Sequence, residues 1–134
     1  MAEAARGTLV LIVEDEPDNR EIMRAVVEDL LGYRTVLASD GVSAVAAARE
    51  YLPDLVLMDL MMPTLDGFEA TRRIKSSAET RHIPVVAVTA LGRPTDRQRA
   101  MEEGADAYMS KPFDLDVLVG IIEKYVGRKQ VAGS

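Results

Sequence analysis

Three short runs of unbroken apolar residues mark the chain: Leu9 to Val13, Leu55 to Met58 and Val85 to Val88. Continuous rather than alternating hydrophobicity over so short a span is the pattern of a strand buried on both faces, as in a parallel sheet covered by helices. Arg34 to Ala38 and Ala107 to Ser110 are weaker candidates for two more strands. Between these runs the apolar residues recur at helical spacing. Ile22, Met23, Val26, Val27, Leu30 and Leu31 form one set, and Val117, Leu118, Ile121, Ile122 and Tyr125 another. In each set the pairs repeat four residues on, which predicts one buried stripe per helix.

The polar punctuation agrees with this division. Pro17 suits a first helical turn, Asp40, Asp66 and Asp114 can cap orphan amides, and Thr95 with Gln98 has the spacing of a capping box. Gly32, Gly104 and Gly127 stand where helices should stop. The resulting order is five strand–helix units, and right-handed crossovers then put helices on both sides of a five-stranded parallel sheet. The expected class is α/β, doubly wound, as one domain over residues 8–127. Residues 1–7 and 128–134 are small or polar and are expected to be flexible ends. The chain carries no internal repeat and no segment left over for an output domain.

Charge narrows the partners. Acidic residues outnumber basic ones by 22 to 16, for a net charge of −6, and this balance disfavours direct binding to nucleic acid, which rests on clustered Lys and Arg. With no cysteine, disulfides, thiolate metal sites and thiol catalysis are excluded, and a reducing cytoplasm is the expected setting. No apolar run approaches the roughly 20 residues of a membrane span, and residues 1–7 lack the apolar stretch of a secretion signal.

In an open parallel sheet, ligands sit beyond the carboxyl ends of the strands, where the winding direction reverses. That rule selects Glu14 and Asp15 after the first strand, Asp59 after the third, Thr89 at the end of the fourth and Lys111 after the fifth. Each has an ordinary explanation alone: Asp59 as a capping aspartate, Thr89 as a β-branched strand end, Lys111 as a solvated lysine. Their convergence on one rim points elsewhere. Two unit charges about 5 Å apart repel by roughly 3 kcal/mol at an effective dielectric of 20, so three carboxylates call for a cation. Mg²⁺, which takes oxygen ligands and keeps several waters, suits such a set, with Mn²⁺ as a substitute. A carboxylate can attack phosphorus to give an aspartyl-phosphate, and the protein's task is then to position groups and neutralise charge. Asp59 is the expected nucleophile, Lys111 a fixed positive charge and Thr89 a hydroxyl donor.

The segments IVEDE at 12–16, LMDLMMPTLDG at 57–67, VVAVTA at 85–90 and YMSKPF at 108–113 together resemble the receiver domains of two-component response regulators, including the chemotaxis regulators. The resemblance covers about Leu9 to Val126. It implies the flavodoxin-like (βα)5 fold with strand order 2-1-3-4-5, Asp59 as phosphoacceptor and Asp15 as a direct metal ligand. It further implies Glu14 as a ligand through water, Met61 as a ligand through its backbone carbonyl, and a cis peptide between Lys111 and Pro112. Tyr108 matches the family's switch aromatic, which turns inward as the Thr89 hydroxyl moves toward the phosphoryl group. Many members have Asp where this chain has Glu14. Met61 and Leu91 match positions that tune water access to the phosphoryl group.

The partners implied are a sensor histidine kinase or histidine phosphotransfer protein, docking near the first helix and the loop at Lys111 to Phe113, and a downstream protein on the face formed by the fourth helix, fifth strand and fifth helix. The domain is expected to be no enzyme beyond promoting its own phosphorylation and dephosphorylation. A phosphatase of the haloacid dehalogenase type would need a second aspartate where Met61 stands. A flavin carrier would need phosphate-binding amides where the acidic EDEPDN follows the first strand. The remaining alternative is a receiver-like interaction scaffold that works without phosphorylation. The lone His82, Arg72, Arg73 and Lys75 read as ordinary solvated positions.

Overall fold

The computed structural model describes residues 7–62, 66–90, 93–111 and 114–133, with side chains described through residue 126. Five strands alternate with helices: β1 Leu9–Val13, α1 Pro17–Ala25, β2 Arg34–Ala38, α2 Gly41–Tyr51, β3 Leu55–Met58, α3 Gly67–Ser76, β4 Val85–Thr89, α4 Pro94–Glu102, β5 Ala107–Ser110 and α5 Leu115–Gly133. All strand pairs are parallel and the order is β2-β1-β3-β4-β5. This is the flavodoxin-like order expected from the resemblance. The unbroken apolar runs are explained by burial on both sides, since every residue of β1, β3 and β4 is buried.

Side-chain alternation sorts the core into two layers. Leu11, Val13, Val56, Met58, Val85 and Ala87 face α2, α3 and α4, while Val10, Ile12, Leu55, Leu57, Val86 and Val88 face α1 and α5. The helix stripes are narrower than their spacing predicts. In α1, Met23, Val26 and Val27 are buried, yet Ile22 and Leu30 lie half exposed or more. A π-helical turn over Val26–Leu30 continues α1, and its wider winding turns Leu30 away from the sheet; nothing in the structure explains the exposure of Ile22, which precedes that turn. In α5, Leu118, Ile122 and Tyr125 are buried and Val117 is exposed.

The capping aspartates behave as their chemistry dictates. Asp40 accepts from the Ser43 amide at 2.8 Å, Asp66 from Glu69 at 2.9 Å and Asp114 from Asp116 at 2.8 Å. The Thr95–Gln98 capping box does not form, because α4 begins at Pro94 with Arg93 as its cap, leaving Thr95 inside the helix. Gln98 bonds Glu102 instead. Gly32 and Gly104 adopt positive φ, 78° and 108°, as helix stops do. Gly127 does not stop α5, which runs through it to Gly133.

Lys75 departs from the solvated face expected of it. Its ammonium donates to the Ile83 carbonyl at 2.9 Å and to Asp106 at 3.0 Å, and the same Asp106 oxygen accepts from the Val85 amide. Arg72 and Arg73 do remain exposed, both paired with Glu69. Among the described residues no helix is long and apolar enough to cross a membrane.

Candidate functional site

The winding direction reverses between β1 and β3, which lie side by side with β2 beyond one and β4 beyond the other. Backbone bonds continue past the strand ends at this rim. Glu14 N–H donates to Ala38 at 3.0 Å, Asp59 N–H to Val13 at 3.0 Å and Lys111 N–H to Thr89 at 2.8 Å. The side chains of Glu14, Asp59 and Lys111 therefore project from ladder-held backbone rather than from free loops. On the far side of Asp59, α3 enters at closest quarters: a Cβ on Gly67 would lie 2.2 Å from the Asp59 carbonyl oxygen and 2.6 Å from the Leu60 Cα. Only glycine lets the helix start there.

Carboxylate oxygens of Glu14, Asp15 and Asp59 lie within 4.8 Å of one another. Glu14 and Asp59 are buried, and Asp15 is exposed. The Lys111 ammonium enters between the buried pair, 2.5 Å from Glu14 Oε1 and 3.3 Å from Asp59 Oδ2. The remaining oxygens are also satisfied, since the Glu16 amide donates to Glu14 Oε2 at 3.1 Å and the Met61 amide to Asp59 Oδ1 at 3.1 Å. Arg20 reaches back from α1 to donate to the Glu14 carbonyl at 2.9 Å. One ammonium for three carboxylates leaves the site short of positive charge.

Burial pushes the Glu14 carboxyl above its ordinary value of 4.5; the nearby Asp59 charge adds to this, and the Lys111 hydrogen bond opposes it without prevailing. Burial alone would lower Lys111, but its bond to Glu14 and the Asp59 charge outweigh that and hold it above 10.5. The signs of the stability effects follow. The fold prefers protonated Glu14, so its contribution is full below about pH 4.5 and is lost as pH rises through the raised folded value; that of Lys111 is full below 10.5 and lost above its raised value. In metal-free buffer, wild type is therefore expected to lose stability relative to Glu14→Gln as pH climbs from 4.5. Parallel melting curves for the two proteins across that range would contradict this.

Thr89 is fully buried at the end of β4 and Tyr108 is half-buried on β5. They share one sheet face, because Tyr108 pairs with Ala87, two residues before Thr89, and packs on the α2–α4 side of the core. Met61 is 58 % exposed beside Asp59. His82 is exposed in the turn before β4. Leu91, Pro112 with its peptide bond to Lys111, and Phe113 lie outside the described residues.

Two contributors escape a reading of the sequence. Arg20 gives no signal, since a single arginine in a helix is unremarkable, and Gly67 reads as a simple capping partner of Asp66. The LDG sequence ahead of α3 does carry a hint that backbone approaches backbone there.

Comparison with known proteins assigns the arrangement. The model of the response regulator receiver domain matches residues 10–123. This chain belongs to the response regulator receiver family. The polar-differentiation response regulator DivK of Brucella anthropi is 41 % identical over 118 residues, covering 88 % of this chain and 95 % of DivK. The receiver domain of the sensor histidine kinase PA1611 from Pseudomonas aeruginosa, solved with a magnesium ion coordinated in its active site cleft, is 37 % identical with a TM-score of 0.83, covering 90 % of this chain and 98 % of that one. The chemotaxis protein CheY4 of Vibrio cholerae is 26 % identical with a TM-score of 0.81, covering 88 % and 98 %. As a receiver domain, the chain carries its carboxylate cluster and lysine at the strand-order reversal, the position where this fold class binds ligands.

Proposed function

We propose that this receiver domain is a phosphorylation-controlled switch of the cytoplasm, with Asp59 as phosphoacceptor. The observation that carries the reading is the Lys111 ammonium set between Glu14 and Asp59 inside a cluster of three carboxylates. The donor is a phosphohistidine on a sensor kinase or phosphotransfer protein. An Asp59 carboxylate oxygen attacks phosphorus, the P–N bond breaks, and the imidazole leaves with its electron pair and takes up a proton.

The donor set fits Mg²⁺, and Mn²⁺ in its place: every side-chain ligand is an oxygen, cysteine is absent and the single histidine lies elsewhere. Asp15 and Asp59 would hold the ion directly, Glu14 through water and Met61 through its backbone carbonyl. When bound, the ion supplies the positive charge that lets phosphoryl oxygens approach an acidic site. Lys111 neutralises one phosphoryl oxygen from the opposite side. Thr89 donates its hydroxyl to another, and the Met61 amide keeps the second Asp59 oxygen turned away from the attack.

Phosphorylation brings nearly two negative charges to Asp59. Lys111 and Thr89 respond, Tyr108 repacks on the same sheet face, and the surface of α4, β5 and α5 changes its affinity for a downstream protein. This is a population shift whose size equals the difference in the target's affinity for the two states. The domain acts on no separate substrate; its chemistry is confined to its own phosphorylation and hydrolysis.

Beryllofluoride, a phosphoryl mimic, tests the reading in solution. With Mg²⁺ it is expected to shift the amide resonances of Thr89 and Tyr108 in wild type and to do nothing to Asp59→Asn. Shifts that persist in Asp59→Asn, or none in wild type, would leave the phosphorylation-independent scaffold as the better account.

A further inference from the structure

Helix α4 lays a set of charges over the Tyr108 ring. Arg93 forks Asp96 with two bonds of 3.0 and 3.1 Å, and Asp96 is only 7 % exposed. One residue on, the exposed Arg97 sets its guanidinium 6.0 Å from the centroid of the Tyr108 ring. The environment of the ring reflects this: burial raises the Tyr108 hydroxyl above its ordinary value, the Asp96 charge pushes the same way and Arg97 opposes it.

The arrangement is not a general feature of arginines on this helix. Arg99 stacks over Phe68 at 4.0 Å, but Phe68 is a buried core residue of α3 itself. Arg97 alone of the two meets an aromatic that is half-buried and shares a sheet face with Thr89. Tyr108 also sits on the outer strand of the sheet, with β4 as its one strand neighbour among the described residues, and it is half-buried where Phe68 is buried.

We propose that Arg97 is a positioning residue that holds the Tyr108 ring against α4 in the resting protein and so sets the balance between its two packings. The inference rests on reading Tyr108 as the aromatic that repacks on phosphorylation. The Arg93–Asp96 fork fixes the first turn of α4 and thereby the place from which Arg97 reaches. An exposed cation at the outer edge of cation–π range biases such a balance by about two- to fivefold. Any ligand that selects the other packing then binds more weakly by the same factor.

The test uses the full chain labelled with 3-fluorotyrosine, its Tyr108 fluorine signal assigned by Tyr108→Phe, and titrated with beryllofluoride and Mg²⁺. Arg97→Ala is expected to move the resting Tyr108 signal toward its beryllofluoride-bound position and to lower the half-saturating beryllofluoride concentration about two- to fivefold. Arg97→Lys, which keeps the charge, should fall between Arg97→Ala and wild type. Arg99→Ala should lower the melting temperature without moving either reading, which separates positioning from a merely structural role. If Arg97→Ala matched wild type in both readings while the wild-type signal responded to beryllofluoride, the positioning role would be overturned. A Tyr108 signal that stayed fixed in wild type, although Asp59 became phosphorylated by mass, would refute the switching role of the ring and Arg97's part in it, leaving the phosphoacceptor assignment intact.

Discussion

Lys111→Ala is expected to destabilise the metal-free protein and, at the same time, to tighten its hold on Mg²⁺. The two effects share one cause. Glu14 is 1 % exposed and Asp59 4 %, and the ammonium between them is the positive charge that faces both buried carboxyl groups. Removing one partner of a buried pair costs about 3–5 kcal/mol, and protonation of Glu14 limits the loss toward the lower figure. For a domain of this size that corresponds to a fall in melting temperature of roughly 10 °C. A divalent cation then replaces the lost charge and no longer competes with a fixed one, so Mg²⁺ should raise the melting temperature of the variant by more than it raises that of wild type. Calorimetry with and without the ion measures both quantities. A variant that lost stability but gained no more from Mg²⁺ than wild type would show that Lys111 acts by packing rather than by charge.

Gly67→Ala is the second large effect. The added Cβ meets backbone, 2.2 Å from the Asp59 carbonyl oxygen and 2.9 Å from the Asp59 carbonyl carbon, so no rotamer change relieves it. Overpacking of this kind costs about 3 kcal/mol. The damage falls on the peptide that carries Asp59, the proposed phosphoacceptor. Misplacing a reacting group by about 1 Å can cost on the order of 10²-fold in rate, so phosphorylation should slow far more than the loss of stability accounts for. Gly120→Ala provides the contrast. It lies in α5 with nothing within 4 Å of the added Cβ, and the better helix propensity should stabilise the fold by up to about 1 kcal/mol. Equal phosphorylation rates for Gly67→Ala and wild type at a temperature where both are folded would contradict the tight seat assigned to Asp59.

The strands were legible because burial on both faces leaves an unmistakable mark: the runs at Leu9, Leu55 and Val85 begin where the strands begin. The site was legible for a related reason. Charged residues that directly follow such runs must emerge at one rim, which groups Glu14, Asp15 and Asp59 from sequence alone, and Lys111 joins them by following the weaker fifth strand. What escaped the sequence depends on choices that local composition does not make. The π turn that continues α1 leaves no mark in the local composition, and it sends Leu30 outward although its spacing matches the buried stripe. Thr95 and Gln98 have capping-box spacing, but Pro94 claims the first helical position and moves the cap to Arg93. Lys75 looks like one of three solvated cations until the fold brings Asp106, thirty-one residues away, to its ammonium. The backbone contact at Gly67 and the reach of Arg20 to Glu14 are likewise products of tertiary approach.

The most direct test of the central claim is the intact mass of the protein after incubation with acetyl phosphate, run on wild type with Mg²⁺, wild type without metal, and Asp59→Asn with Mg²⁺. The account predicts a single phosphoryl adduct, about 80 Da for one PO3H unit, in the first sample and in neither of the others. An adduct on Asp59→Asn, or an unmodified wild type that a phosphohistidine donor also fails to label, would contradict it.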